Sequence, residues 1–348
     1  MRHKWIDLDQ FILNSGKSKP EPDYIGTGIL TRDPNLRYLP NGKVTCDFGV
    51  EKMDSNWDPP LYVLRQGIEF EHFYCKVYGQ TAEIINKYYR KGNEINLTGE
   101  IWNLRPVWAT EKVGYNQIVV WVNEVKLSEI QQVCHERDIE TLCHFTRIDR
   151  LRSILDKRRG LLSRFFLESI PAEYRPQFTD QDRGNGCKEA ICLSISFPNY
   201  RMFFSKTGRT KQHEWVVLLL DVRVLWELDC AFCHQNARFE PVLRVPLQDR
   251  KRLVSLERMF ASSDYHPDGS PYQRQQIPDN YPTHPEAEVL VFDSISAEYI
   301  KEVHFYNEAA LKAWFEENSG TYPQRFCANE SYFRPRCDYK AWQKHRSQ

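Results

Sequence analysis

No apolar run in the 348 residues approaches the ~20 needed to cross a bilayer, so the sequence offers no membrane-spanning helix. It also lacks charge of either sign in excess. Lys plus Arg and Asp plus Glu are 47 each, so no global field attracts a polyanion, and any nucleic-acid binding must rest on local patches and aromatic faces. Ten cysteines are scattered without the spacing of a disulfide framework and are expected to stay reduced. The opening "MRHKWIDLDQ" lacks the basic-then-apolar layout of a secretory signal, so the expected location is the cytoplasm. No internal repeat is seen. What is present is ordinary globular composition, 41% hydrophobic and 27% charged, at a length that suggests two domains.

Composition divides the chain into an N-terminal extension over 1–26, a β-rich unit over 27–127, a polar linker over 128–140, a second unit over 141–318, and a basic, aromatic tail over 319–348. In the first unit, "VTCDFGVEKM", "IEFEHFYCKVYG", "EINLTGEIW" and "QIVVWVNEV" are short strands, and Asn41-Gly42 marks a tight turn. "QTAEIINKYYRKG" is the one helix, with Ala82, Ile85, Tyr88 and Tyr89 as its apolar stripe and Gly92 at its end. Short strands with a helix between the third and fourth predict an all-β OB-fold barrel.

Asp33-Pro34, Arg37-Tyr38, Pro40, Gly42, Gly79, Ala82-Glu83, Lys91-Gly92 and Gly99, in order over about a hundred residues, resemble the bacterial single-stranded DNA-binding protein (SSB) family. That family's barrel stacks bases on aromatic rings, a contact worth ~1–3 kcal/mol per base. The resemblance implies stacking roles for Trp57, Tyr78, and Trp102 or Trp108, with His72 at the position of another family aromatic. The competing reading makes these rings barrel core and the unit an interaction scaffold; Tyr78 is most open to it, because alternate strand positions point inward.

The second unit opens with "TLCHFTRIDRLRSILDKRRGLLSR", a short strand running into a helix. Thr146 and Asp149 fit a capping box, Ile148, Leu151, Ile154 and Leu155 keep one face apolar, and Gly160 ends the helix. "AICLSISF" and "EWVVLLLDV" are buried strands, "AEVLVFDSI" and "IKEVHFY" look like a closing pair, and "NEAALKAWFEEN" is an amphipathic helix. A polar loop rich in Pro, Asp and Tyr fills 261–285, a length that is usually functional or disordered. Directly after it, "YPTHPEAEVLVF" sets Glu286 and Glu288 at the entrance of an apolar strand. Such strands seldom hold an ionised group unless it is paired or used.

His144 and Thr146 at a strand end, "GLLSR", Arg183 in "DQDRGNG" and Glu288 in "EAEVLVF" resemble the DarT family of NAD-dependent ADP-ribosyltransferases acting on single-stranded DNA. The resemblance implies an α+β ADP-ribosyltransferase fold of two packed β-sheets with flanking helices. It also implies an NAD cleft between the sheets, His144 (with Thr146) on a ribose and Arg183 near the pyrophosphate. The chemistry makes matching demands: departure of nicotinamide leaves an oxocarbenium-like centre that a carboxylate stabilises, and the acceptor base must give its proton to a general base. Glu288, directly before "VLVF", fits both tasks; Glu286, on the same face of a regular strand, is its rival. Phe197 and Tyr200, together with Phe203 in "SISFPNYRMFF", offer a flat slot for nicotinamide, although Phe203 is more readily core.

Cys230 and Cys233 with His234 have half the spacing of a zinc knuckle, but one CxxC without a second pair is read as buried thiols, and no metal is expected. The tail from Thr321 suits backbone contact with stacking, and suits a solubilising end equally well. The leading expectation is a bacterial toxin or anti-phage effector that modifies a base in single-stranded DNA held by the first unit, with a possible cognate antitoxin. Alternatives are a transferase acting on RNA or protein, and a non-catalytic protein binding single-stranded nucleic acid.

Overall fold

The computed structural model describes residues 24–52, 72–104, 117–156, 159–171, 188–208, 211–266, 269–292 and 294–343. The chain divides into two compact units, Met1–Leu127 and Ser128–Gln348.

In the first unit, strands β1 (Tyr24–Leu30), β2 (Asn35–Tyr38), β3 (Val44–Lys52), β4 (His72–Tyr78), β5 (Glu94–Leu104) and β6 (Gln117–Lys126) form one sheet in the order β1-β5-β6-β4-β3-β2. Because β1 also pairs with β3, the sheet closes into the expected OB-type barrel. Closure depends on Gly28, which faces Lys52 on one side and Ile95 on the other. A Cβ there would sit 2.7 Å from the Glu51 carbonyl oxygen. Helix α1 (Gln80–Tyr88) stands between β4 and β5 and buries Ala82, Ile85 and Tyr88. Cys46, Phe48 and Val50 alternate along β3 and join Cys75, Val77, Ile95 and Leu97 in the core.

The second unit begins earlier than composition suggests. Residues 129–136 are a helix, α2 (Glu129–Glu136), rather than a linker, with Ser128 and Gln131 forming a reciprocal capping box. Strands β7 (Thr141–Arg147), β8 (Ile191–Ile195), β9 (Trp215–Asp221), β10 (Cys230–Cys233), β13 (Glu288–Val291), β14 (Ile300–Phe305) and β15 (Arg325–Ala328) lie in the order β10-β13-β8-β7-β9-β14-β15. The hairpin β11 (Ser263–Tyr265) with β12 (Pro271–Gln273) stands apart as a two-stranded sheet. The expected closing pair does not form. β13 sits between β10 and β8, while β14 sits between β9 and β15, because each apolar strand is covered best by two neighbours rather than by its successor in sequence.

Two sheets meet at β8. Ile191 to Leu193 pair with β13, whereas Ser194 and Ile195 pair with Cys143 and Leu142 of β7. Beyond Cys143, β7 leaves β8, and the two arms open.

Two further expectations are corrected. Thr146 is buried within β7 and caps nothing; the chain continues as a 3-10 turn (Ile148–Arg150) and a single helical turn, α3 (Leu151–Ile154), and Leu151, Ile154 and Leu155 are buried. The aromatic tail is not an appendage: β15 adds in parallel to β14, and Phe333, Arg336, Asp338 and Trp342 are buried. Phe333 and Trp342 belong to the core of the closing segment, and Arg336 with Asp338 is its internal ion pair.

Candidate active site

The opening between the arms is a cavity of about 820 Å³, within the range that holds a cofactor-sized ligand. His144, Thr146 and Glu288 all line it. His144 is the first β7 residue past the split, and its Nδ1 lies 2.9 Å from the carbonyl oxygen of Cys192 on β8. A carbonyl only accepts, so Nδ1 carries the proton at this contact.

Glu288 is the first residue of β13 and is 8% exposed. Its strand partner is Cys233, and the turn after β10 folds back over the carboxylate. The Ala237 backbone N–H donates to Oε2 at 2.9 Å, and Asn236 Nδ2 donates to Oε1 at 3.3 Å. These donors fix an otherwise costly buried carboxylate in one orientation. Glu286, the rival, lies 3.5 Å from Arg201 in an ion pair and does not line the cavity.

The cationic wall comes from residues the sequence left as a solvated face or passed over. Arg150, Arg159, Arg164 and Lys206 line the cavity. Burial pushes the Arg150 guanidinium below its ordinary value against the pull of Asp149, and Arg147 and Arg164 add like charge. A concentration of positive charge that resists its own assembly is suited to a pyrophosphate. Helix α4 (Tyr200–Thr207), with its capping residue, presents Asn199, Met202 and Lys206 on one face at helical spacing. Asn199 Oδ1 caps the helix by accepting from Met202 N–H at 3.0 Å, while its buried Nδ2 has no partner. That orphaned donor in the cavity wall, the proton-bearing His144, the basic wall and the acid at Glu288 together fit NAD.

The aromatic slot is displaced from its expected place. Phe197 packs against Tyr281 and Tyr332 at centroid distances of 5.5 and 6.1 Å, and Tyr200 is buried against Phe204; neither lines the cavity. The aromatic wall is Phe145 and Trp215, 5.9 Å apart on adjacent strands. Trp215 heads a strand that is buried throughout and Phe145 is half-buried on β7, so in sequence both rings read only as core. Arg183 lies outside the described residues.

The floor is closed by Gly160, at φ +63°, where an added Cβ would meet the Ile295 carbonyl oxygen at 2.1 Å. Leu161 and Ile295 exchange both backbone hydrogen bonds there, at 2.8 and 2.9 Å. The hairpin of β11 and β12 is held from behind by the closing segment. Asp338 accepts from Arg336, Tyr272 and Trp342, and Arg336 also donates to the carbonyls of Pro282 and Thr283.

Cys230 donates to the Val224 carbonyl, and its thiol is pushed up to about 12 by burial. Among the described residues, Glu302, His304 and Cys327 bring three donor atoms within 4.8 Å of one another, away from the cavity lining. His304 Nε2 lies 2.7 Å from Glu302, which also pairs with Arg325.

In the first unit, Trp57 and Trp108 lie outside the described residues. The backbone of His72 pairs with Glu51 and that of Trp102 with Val119. Tyr78 is half-buried with Lys76 Nζ 5.3 Å from its ring centre, and two residues before Lys76 on β4 Tyr74 lies 4.8 Å from the Arg32 guanidinium. Tyr74, Lys76 and Tyr78 thus alternate onto one face of β4, mixing aromatic and basic groups as single-strand binding requires. Tyr74 was not singled out from the sequence.

Comparison with known proteins divides at the same place. Residues 24–128 match the single-strand binding protein family. Over 86 residues the chain is 36% identical to the single-stranded DNA-binding protein of Helicobacter hepaticus, covering 22% of this chain and 45% of the relative. Over 100 residues it is 34% identical to that of Neisseria meningitidis serogroup A, covering 29% and 55%. The chain therefore spans about half the length of the curated relatives it matches. Among solved structures, Thermosipho africanus DarTG in complex with ADP-ribose aligns at 16% identity and a TM-score of 0.37, covering 56% of this chain and 50% of that one. The SSB domain of a Synechococcus sp. protein aligns at 13% identity and a TM-score of 0.23, covering 32% of this chain and all of that one. Residues 143–317, half of the chain, match the family described as ssDNA thymidine ADP-ribosyltransferase, DarT, and with that match the chain belongs to the DarT family.

Proposed function

We propose that the protein is an NAD-dependent ADP-ribosyltransferase that modifies the thymidine base of single-stranded DNA, the strand being held by the N-terminal barrel. The observation that carries this reading is Glu288, buried at the mouth of its strand, oriented by two hydrogen-bond donors and lining the same cavity as Arg150, Arg159, Arg164 and Lys206. Bound NAD supplies an ADP-ribosyl group whose bond to nicotinamide breaks as the bond to a base nitrogen forms. The side chains Arg150, Arg164 and Lys206 hold the pyrophosphate, and Phe145 and Trp215 give nicotinamide an apolar wall. His144 and Asn199 Nδ2 orient ribose hydroxyls. The Glu288 carboxylate stabilises positive charge developing at the sugar carbon and receives the proton lost by the base. Arg183 keeps its proposed place near the pyrophosphate.

Tethering a strand to the transferase raises the local concentration of acceptor. A reaction that marks DNA bases harms the cell that houses it, which supports a toxin or defence role in the cytoplasm and a partner that restrains it. Among the described residues no helix is long and apolar enough to cross a membrane.

Purified protein is incubated with NAD and single-stranded oligonucleotides of one base each, and products are read by intact mass. The expected result is a gain of one ADP-ribose on the thymidine oligomer, absent with Glu288→Gln. Transfer to an RNA oligomer alone, or to the protein alone, overturns the reading, as does full activity of Glu288→Gln.

A further inference from the structure

A second cavity, of about 260 Å³, lies beside the edge strand β10 and shares no described lining residue with the first. Phe232, Val242 and Val254 give it apolar walls, and Arg250, Arg252 and Arg258 line it from the helices α5 (Leu247–Arg250) and α6 (Leu253–Arg258) and the link between them.

Arg250 sets this cavity apart. It is 7% exposed, its Nε has no hydrogen-bond partner, and no carboxylate pairs with it among the described residues. The partner of its guanidinium is the Cys233 sulfur, 3.8 Å from Nη1, a weak acceptor. Acidic groups nearby are otherwise engaged. Asp249, the acid in the lining, lies 3.5 Å from Arg252. Asp264, whose charge acts on His234 of the same wall, accepts from Gln235 and from the Tyr265 N–H. A guanidinium out of water without a counter-charge is one of the least favourable arrangements a fold can hold, and an external anion relieves it.

We infer that this cavity is a binding site for a small oxyanion of the phosphate class, which docks on the guanidinium of Arg250 and is drawn in by Arg252 and Arg258. Two parallel N–H donors on one edge of a guanidinium match two oxygens of such a group. The volume admits a free phosphate or a phosphate ester of few atoms; a phosphodiester of the acceptor strand is the other source of the same chemistry.

The test uses the full chain. Thermal unfolding is followed against inorganic phosphate at constant ionic strength, with chloride as the balancing anion. A ligand bound only by the folded state raises the midpoint as its concentration rises. The wild type is expected to respond to phosphate and not to chloride. Arg250→Met, which keeps the packing of the stem, is expected to need at least a tenfold higher phosphate concentration for the same shift, and to melt no lower than wild type without phosphate. Arg258→Glu, exposed at the surface, is expected to weaken the response by a similar factor and guards against misfolding of the first variant. A parallel titration with single-stranded oligonucleotide separates the sources: if phosphate competes with the strand in wild type but not in Arg250→Met, the group comes from DNA, and if it does not compete, the ligand is a free anion. No phosphate-specific shift in wild type, or equal shifts in all three proteins, overturns the site.

Discussion

Asp338→Asn is the sharpest probe of how the hairpin ahead of Glu288 is held. Arg336 and Asp338 are 3% and 7% exposed, and their charge-assisted bonds are 2.8 and 2.6 Å long. The Asp338 Oδ2 also accepts from Tyr272 at 3.2 Å and Trp342 at 3.0 Å, while Arg336 donates to Pro282 and Thr283 carbonyls at 2.7 and 3.1 Å. Neutralising Asp338 leaves the guanidinium buried without a counter-charge, a loss of about 3–5 kcal/mol. For a domain of this size that corresponds to a fall of roughly 6–20 °C in the midpoint of the second unit, measured by calorimetry. Acid dependence gives an independent readout. Burial pushes the Asp338 carboxyl up, but the hydrogen bond and charge of Arg336 outweigh it, with Trp342 assisting, and hold it below its usual range. Since the folded value lies below the unfolded value of about 3.9, the stabilisation is complete above that pH and fades as pH falls through the folded value. Asp338→Asn removes that acid-dependent portion. A loss under about 1 kcal/mol, or an unchanged slope between neutral and acid pH, refutes the reasoning.

Other variants test other parts. Asn236→Asp removes a donor and sets a second carboxylate beside Glu288; kcat for transfer is expected to fall on the order of 100-fold with little change in the KM for NAD, with Asn236→Ala in between, and a change confined to KM refutes the positioning role. Gly160→Ala combines a left-handed backbone with a clash on the Ile295 carbonyl, and is expected to cost about 2–5 kcal/mol in thermal unfolding; a cost below 1 kcal/mol would show that the 160–161 segment yields easily. Tyr78→Ala is expected to weaken binding of a thymidine oligomer about 5- to 150-fold, the loss of one stacked base, with Tyr78→Phe close to wild type in a fluorescence titration. An unchanged affinity returns Tyr78 to the barrel core.

Local patterns carried far in this protein. The alternating strands of the first unit, the Asn41-Gly42 turn and the helix stripe of Ala82, Ile85 and Tyr88 are set by near-neighbour periodicity, and they determined the barrel. The continuous run of β9 announced a strand buried on both faces, and a carboxylate at the head of another such run marked Glu288 before any contact was known. What the sequence left undecided was pairing over distance. The separation of β13 from β14, the split of β7 from β8 at Cys143, and the incorporation of the tail through Arg336 and Trp342 all depend on which apolar face finds which cover. For the same reason the cavity wall moved from Phe197 and Tyr200 to Phe145 and Trp215, and the groups that hold Glu288 came from a turn about fifty residues upstream. A residue's type and period fix its element and often its face, whereas its partner is chosen by three-dimensional packing, which single-sequence periodicity does not encode.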